Sequence, residues 1–287
     1  MVNNTENLVK ALFETKAIWV CPSDSPFWYT SGKIGPYYIN THFLYGSEEK
    51  ANALLKTIDA ATGDKEHCTG IVAAQVLENY RQDKVFKSCM DTLLEAIQNT
   101  IPLESIDYIS GGERRDWFFS LVAAELLNKP HITIFKDLDA VVFHKGKSEK
   151  VNSLQGAGVL HIADLITSAS SYERAWVPVI QKASGVMKAS FVIIDRMQGG
   201  HELLESLGVA SHALVRIDRN VFREACDKRY IDSAQYEMVI HYMEDPDGFM
   251  KTFFLDHPEF MEKALKGDEK TAKRARLCIE SGFYPGA

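Results

Sequence analysis

The chain has 287 residues, 46% hydrophobic and 25% charged, with a formal net charge of −7. That length buries a substantial core, and the acidic balance argues against a broad nucleic-acid surface. No apolar run approaches the ~20 residues that span a bilayer, and the five cysteines and nine histidines form no CxxC, Cys/His cluster or HExxH pattern, so a reduced, cytoplasmic protein without structural or catalytic zinc and without membrane contact is expected.

In chain order, Leu8, Val9, Leu12 and Phe13 mark the apolar face of a first helix. The segment from about 18 to 46, containing "PSDSPFWYTSGKIGPYYIN", is rich in Pro, Gly, Ser and aromatics and reads as short strands with tight turns. Helical patterns follow over about 47–61, where Gly63 is placed to close the helix, and over about 83–99. Then strands and helices alternate. "SIDYIS", "HITIFKD", "GVLHIAD", "KASFVIID" and "SHALVRI" read as strands; "RRDWFFSLVAAELLN", "SYERAWVPVIQKAS" and "GGHELLESLG" read as the helices between them. Such alternation predicts an α/β fold: a Rossmann-like parallel sheet with helices on both faces, carrying ligands beyond the carboxyl ends of its strands. After Asp218 the strands stop. "YIDSAQYEMVIHYMED", "PDGFMKTFFLDHPEFMEKALKG" and "DEKTAKRARLCIESG" predict three helices, a C-terminal extension over 218–287 packed on the 1–217 domain.

Four segments carry chemistry. In "VLHIADLITSASSY", Thr167, Ser168, Ala169, Ser170 and Ser171 follow a strand and precede a helix, a place where backbone N–H groups and hydroxyls cradle phosphate. Helix capping by Ser170 or Ser171 accounts for the same residues equally well. Asp164 at the strand end suits sugar hydroxyls or a loop cap. In "SGGERRDW", Gly111 and Gly112 permit close approach to an anion, and Arg114 and Arg115 supply forked donors. Glu113 and Asp116 are alternative partners for those arginines. In "DRMQGG", Arg196 suits a carboxylate or base edge, or else closes a turn with Asp195. In "YTSGKIGPYYIN", Lys33, Tyr37 and Tyr38 form either a cationic, aromatic lid or the core of a small subdomain.

Taken in order, these segments resemble the orotate phosphoribosyltransferases of the type I phosphoribosyltransferase fold, over roughly residues 4–217. Ser31 to Tyr38 is similar to that family's SG-x-x-SPYY-like segment, Ser110 to Arg114 to its pyrophosphate loop, Val159 to Tyr172 to its ribose-5-phosphate motif, and Asp195 to Gly200 to its DR-x-x-GG segment. The resemblance implies a phosphoribosyltransferase domain with an N-terminal hood over about 18–46. It implies transfer of phosphoribosyl from phosphoribosyl pyrophosphate (PRPP) to orotate or a related base, with Mg²⁺ bridging substrate oxygens, in a homodimer. By the same resemblance, residues 167–171 hold the 5-phosphate and Asp164 grips the ribose. Gly111, Gly112, Arg114 and Arg115 meet pyrophosphate, Lys136 is the mobile-loop lysine, and Arg196, Tyr38 and Lys33 meet the base. Departures are equally legible. Ala163 stands where the family has an acid, "TSASS" lacks glycine, Asp139 stands for a second loop lysine, and Thr30 for another. Lys145 or Lys147 is a candidate substitute. These departures leave an alternative, a non-catalytic relative that binds a nucleotide or phosphosugar as a sensor.

Overall fold

A computed structural model describes residues 2–284, with side chains from residue 7 onward. Its elements, in order, are α1 (Val2–Glu14), β1 (Ile18–Val20), β2 (Phe27–Trp28), β3 (Ile34–Gly35), β4 (Tyr37–Ile39), α2 (Glu48–Ala61), α3 (Lys65–Gln82) and α4 (Lys84–Thr100). Then come β5 (Tyr108–Gly112), α5 (Trp117–Leu126), β6 (His131–Ile134), β7 (Ala140–His144), β8 (Lys147–Lys150), β9 (Gly158–Ile166), α6 (Val177–Lys182), β10 (Val186–Asp195), α7 (Gly200–Ser206) and β11 (Ala210–Arg216). The last five are helices: α8 (Arg219–Asp227), α9 (Ser233–Glu244), α10 (Pro246–Asp256), α11 (Pro258–Leu265) and α12 (Glu269–Glu280). None is long and apolar enough to cross a membrane among the described residues.

The chain divides into two units, residues 1–17 with 41–218, and residues 18–40 with 219–287. The first holds a seven-stranded sheet of order β11-β10-β9-β5-β6-β7-β8. From β11 to β6 all pairings are parallel, and β7 and β8 add antiparallel. The five parallel strands therefore have doubly wound order, reversing direction between β5 and β9. Right-handed crossovers put α5 on one face and α6 and α7 on the other. Two-sided cover is why nearly every residue of β9 and β10 is buried, so these strands read as continuous apolar runs. Helix α5 is buried from Trp117 to Ala124. At the far edge, β8 carries Lys-Ser-Glu-Lys, polar residues that discourage pairing with another chain.

Two elements of this unit lie outside the sequence expectations. The sequence does not mark helix α3, because Gly70 and a mixed polar pattern blur its buried stripe of Cys68, Thr69, Val72, Ala73 and Val76. Asp64 caps its start and Asp83 caps the start of α4, its Oδ1 accepting from Val85 and Phe86 N–H. The segment expected to be a mobile loop is instead ordered strand, β6 turning into β7 and β7 into β8. Lys145 and Gly146, both at positive φ, form the two-residue turn between the latter pair.

In the second unit β1 pairs with β4 and β2 with β3, both antiparallel. Its core joins Trp28 and Ile34 to Met250, Phe253, Phe254, Met261, Ala264, Ala275 and Cys278, with Trp28 stacked on Phe260 at 5.6 Å. Gly32, at φ +82°, turns the chain where an added Cβ would sit 2.9 Å from the Cys278 nitrogen. The predicted long helix over 246–267 is two helices, because Pro258 has no N–H to continue the ladder. Helix α8, also unassigned from sequence, buries Val221, Phe222 and Ala225.

Candidate functional site

Beyond the carboxyl ends of β5 and β9, at the point where strand order reverses, lies a cavity of about 290 Å³. A doubly wound sheet opens a crevice at this position because neighbouring connections leave in opposite directions. One wall is the β5–α5 loop, Glu113 to Asp116; the other runs from Ala163 to Ile166 and takes in Thr167, Ala169, Ser170, Ser171, Tyr172 and Trp176. Two of the four sequence segments thus meet in one place.

In the wall after β9 the hydroxyls do not serve as helix caps. Ser171 precedes the turn Tyr172–Trp176 and makes no side-chain cap bond. Ser170 lines the cavity, and its carbonyl oxygen accepts from Arg174 Nε at 3.2 Å. Thr167, Ser170 and Ser171 all line the cavity. Ala169 takes φ +54°, the conformation that lets the loop curl without a glycine. Ser168 is exposed and lies outside the lining.

The opposite wall departs from expectation in its ion pairs. Arg114 pairs with Asp59 of α2, Glu113 accepts the Lys136 N–H at 2.9 Å, and Asp116 turns inward. Arg115 is exposed on the cavity wall. Gly111 and Gly112 are buried in β5 and do not line the cavity. They are needed for packing, since an added Cβ would lie 2.2 Å from Ser120 Oγ and 2.3 Å from Trp176 Cζ2 respectively.

The cavity floor carries two carboxyl groups. The β5–β9 ladder ends at Ser110 opposite His161, and the strands then part. Asp116 bridges the gap, Oδ1 accepting from Asp164 N–H at 3.1 Å and Oδ2 from Gly112 N–H at 2.9 Å. Asp164 is hydrogen-bonded to the Asp116 side chain. Burial, then the negative charge of Asp116, push the Asp164 carboxyl up to about 8, against the opposing pull of Arg115. Beneath them, fully buried His161 bonds Ser110 Oγ through Nδ1 at 2.9 Å, and its Nε2 lies 3.5 Å from Asp116 Oδ2. A second buried chain runs from Ser120 through His131 to Thr133 and Thr69. Burial, with the neighbouring His161, lowers His131 to about 3; burial, then Arg115 and Arg114, lower His42 to about 3.

Other predicted residues are placed as follows. Arg196 follows β10, and its N–H donates to Ile166 O at 3.0 Å, which sets it beside the hydroxyl loop. Asp195 closes that turn on Met197 N–H, not on Arg196, whose Nε is buried without a partner. Lys136 lies on the β6–β7 turn, at the cavity end of the sheet. Asp139, the reversed charge, is ion-paired to Lys65 of α3 at 2.7 Å, and Asp137 to the same lysine at 2.5 Å. Lys145 and Lys147 lie at the opposite end of the sheet, because β7 runs antiparallel from Ala140 beside Ile134 to Phe143 beside His131. Lys33 and Tyr38 belong to the second unit, where Lys33 pairs with Asp247 at 2.7 Å and the Tyr38 hydroxyl donates to Trp28 O at 2.6 Å. Among the described residues no group of three or more His, Cys, Asp or Glu is placed to hold a metal, and the five cysteines are free thiols.

Sequence reasoning missed Asp116 as a floor residue, and with it His161 and Trp176. The sequence offers Asp116 only as an alternative partner for the arginines, and nothing local marks it as facing a strand end 48 residues away.

No protein-family model matches the chain. A stretch of 104 residues is 28% identical to the orotate phosphoribosyltransferase of Thermoplasma volcanium, covering 34% of this chain and 57% of that relative. Among solved structures, orotate phosphoribosyltransferase from Aeropyrum pernix matches with TM-score 0.50 and 16% identity over 76% of this chain and 98% of its own. The Francisella tularensis enzyme of the same name matches with TM-score 0.51 and 12% identity, over 82% and 96%. The resemblance read from the motifs is thus borne out, and the fold of the first unit is the type I phosphoribosyltransferase fold.

Proposed function

We propose that the cavity binds a phosphoribosyl group and that the chain is a phosphoribosyltransferase using PRPP, with orotate or a similar small base as acceptor. The observation that carries this reading is the convergence of three chemistries in one crevice at the switch point: uncapped hydroxyls, arginines and a carboxyl pair. Thr167, Ser170 and Ser171 hold the 5-phosphate. Asp164 accepts from the sugar hydroxyls. Arg115, Arg114 and Lys136 face the pyrophosphate, and Arg196 takes the carboxylate of the base. The similarity to orotate phosphoribosyltransferases supports the same substrates.

Transfer of this kind separates pyrophosphate from an electron-poor sugar, so the protein works mainly by positioning and by placing charge where charge develops. Mg²⁺ keeps several waters and binds through substrate phosphates and one or two carboxylates, so it does not require a three-residue cluster. Asp164 and Asp116 are the carboxyl pair that fits it, and the ion would neutralise charge gathering on the departing pyrophosphate. Buried Trp176 and Tyr172 wall that end of the cavity.

One observation favours a second reading, binding without turnover. The lysines of the β7–β8 turn point away from the cavity end of their own chain, leaving Lys136 and the two arginines as its cations. Two measurements separate the readings: PRPP binding by calorimetry with Mg²⁺, and orotate consumption followed by ultraviolet absorbance. Binding with consumption supports transfer, and binding without consumption of orotate or other bases supports the sensor. Absence of PRPP binding removes both.

A further inference from the structure

We propose that a second cavity, between the last turns of α4 and strands β10 and β11 at the sheet edge, is a binding site for a nucleoside 5′-monophosphate. Its volume is about 310 Å³, it shares no lining residue with the cavity at the switch point, and all its lining belongs to the first unit. One wall is a single face of α4, where Thr92, Glu95, Ala96, Asn99 and Thr100 recur at helical spacing. The other is Phe191 of β10 with His212, Leu214 and Arg216, which alternate onto one face of β11. Strand β11 is outermost in the sheet, so no further strand closes this wall. A cavity of this size lined by both apolar and polar groups suits a small organic ligand.

The lining separates a ring site from an anion site. Phe191 and His212 are register partners, and their rings stack with centroids 5.8 Å apart and planes 26° from parallel. Beyond His212 there is no other strand, so the stack can take a third ring, the base, on its outer side. Burial, then the charges of His201 and Arg216, lower His212 from its ordinary value, so the Arg216 cation is felt at the ring. Arg216 is exposed, and its guanidinium has no ion pair or hydrogen bond among the described residues. It is a forked donor open to a phosphate. Along an extended strand His212 and Arg216 stand about 13 Å apart, the span of a nucleotide rather than of a single-ring acid. Glu95 and the carboxyl end of α4 disfavour an anion on the helix wall, which leaves the phosphate to the Arg216 side. The Asn99 amide and the Thr100 hydroxyl then face the sugar or the base edge with both donors and acceptors.

The test is calorimetry on the whole chain with AMP and adenosine as probes. The wild type is expected to bind AMP about ten-fold or more tightly than adenosine, because only AMP carries the phosphate for Arg216. Arg216→Gln is expected to weaken AMP by about ten-fold and adenosine by less than about two-fold. His212→Ala is expected to weaken both by about ten-fold, since it removes the stacking surface. If His212→Ala does not fold, Arg216→Gln, at an exposed position, carries the test alone. Arg115→Gln, on the wall of the first cavity, is expected to leave AMP binding within about two-fold, which keeps this site apart from the phosphoribosyl reading. AMP affinity lost in Arg115→Gln but retained in Arg216→Gln would put the nucleotide in the first cavity and overturn the proposal. Parallel losses in both arginine variants overturn it too, as does a wild type that binds no AMP or binds adenosine equally well. Absence of PRPP binding leaves the proposal standing and removes only the reading of the first cavity.

Discussion

Replacing Asp164 with asparagine should stabilise the protein at neutral pH, by an amount that grows as pH rises. Asp164 is 8% exposed, and its carboxyl is raised to about 8 by burial and by Asp116. In the unfolded chain the same group titrates near 4. Between those values the folded state holds one more proton than the unfolded state at this position. Its contribution is therefore fully present below about pH 4 and is lost as pH rises through about 8, at about 1.4 kcal/mol per pH unit. Asparagine keeps a donor for the Asp116 carboxylate and never ionises, so it removes this loss. Between pH 5 and pH 7 the variant should gain about 2–3 kcal/mol on the wild type. Urea unfolding followed by tryptophan fluorescence at pH 5, 6 and 7 measures the difference by linear extrapolation. Comparing the two proteins cancels the buried histidines His42 and His131, whose lowered values pull stability down as pH falls below about 6.5. A difference that does not change with pH would mean that the folded protein carries Asp164 ionised, and the account of the cavity floor would be wrong.

Three further outcomes follow from the same geometry. Gly112→Ala should cost about 3 kcal/mol or more in urea unfolding, because its methyl meets the Trp176 ring, and Trp176→Leu in the same chain should recover part of that loss; an undiminished cost in the double variant refutes the contact. Arg115→Gln should weaken pyrophosphate binding by about ten-fold, whereas Lys145→Gln with Lys147→Gln should leave it within about two-fold, since those lysines sit at the other end of the sheet; calorimetry reverses this assignment if the lysine pair matters more. Phe254→Ala, in the core shared by the 18–40 segment and the C-terminal helices, should destabilise that core by about 3–5 kcal/mol and open it to limited proteolysis, and unchanged protection there would contradict the packing described.

Much of the fold was legible because its signals are local. The apolar runs of β9 and β10, the helices between the parallel strands, and the glycines and charges at strand ends all follow from residues within a few positions of one another. The hydroxyl loop and the arginine loop were found from sequence for the same reason. What escaped was either weakly patterned or decided at a distance. Helix α3 has Gly70 inside its buried stripe, and α8 is short and mostly polar. The β7–β8 hairpin reads as a charged loop, because one face of an edge strand is free to be polar.

The sequence by itself determined the five parallel strands, that their carboxyl ends carry polar residues, and that Asp164 stands at one such end beside a loop of hydroxyl residues. Only the tertiary structure decided that Asp116 lies against it, that Lys65 neutralises Asp139, and that the aromatic 18–40 segment shares a core with helices some two hundred residues later. Periodicity reports how a segment meets its own neighbours, whereas these contacts depend on which strands part and which helices return. The alanine at 163 looked like a missing charge in the sequence. In the folded chain a second carboxyl group, that of Asp116, stands at the same floor, carried there by the loop that follows a different strand.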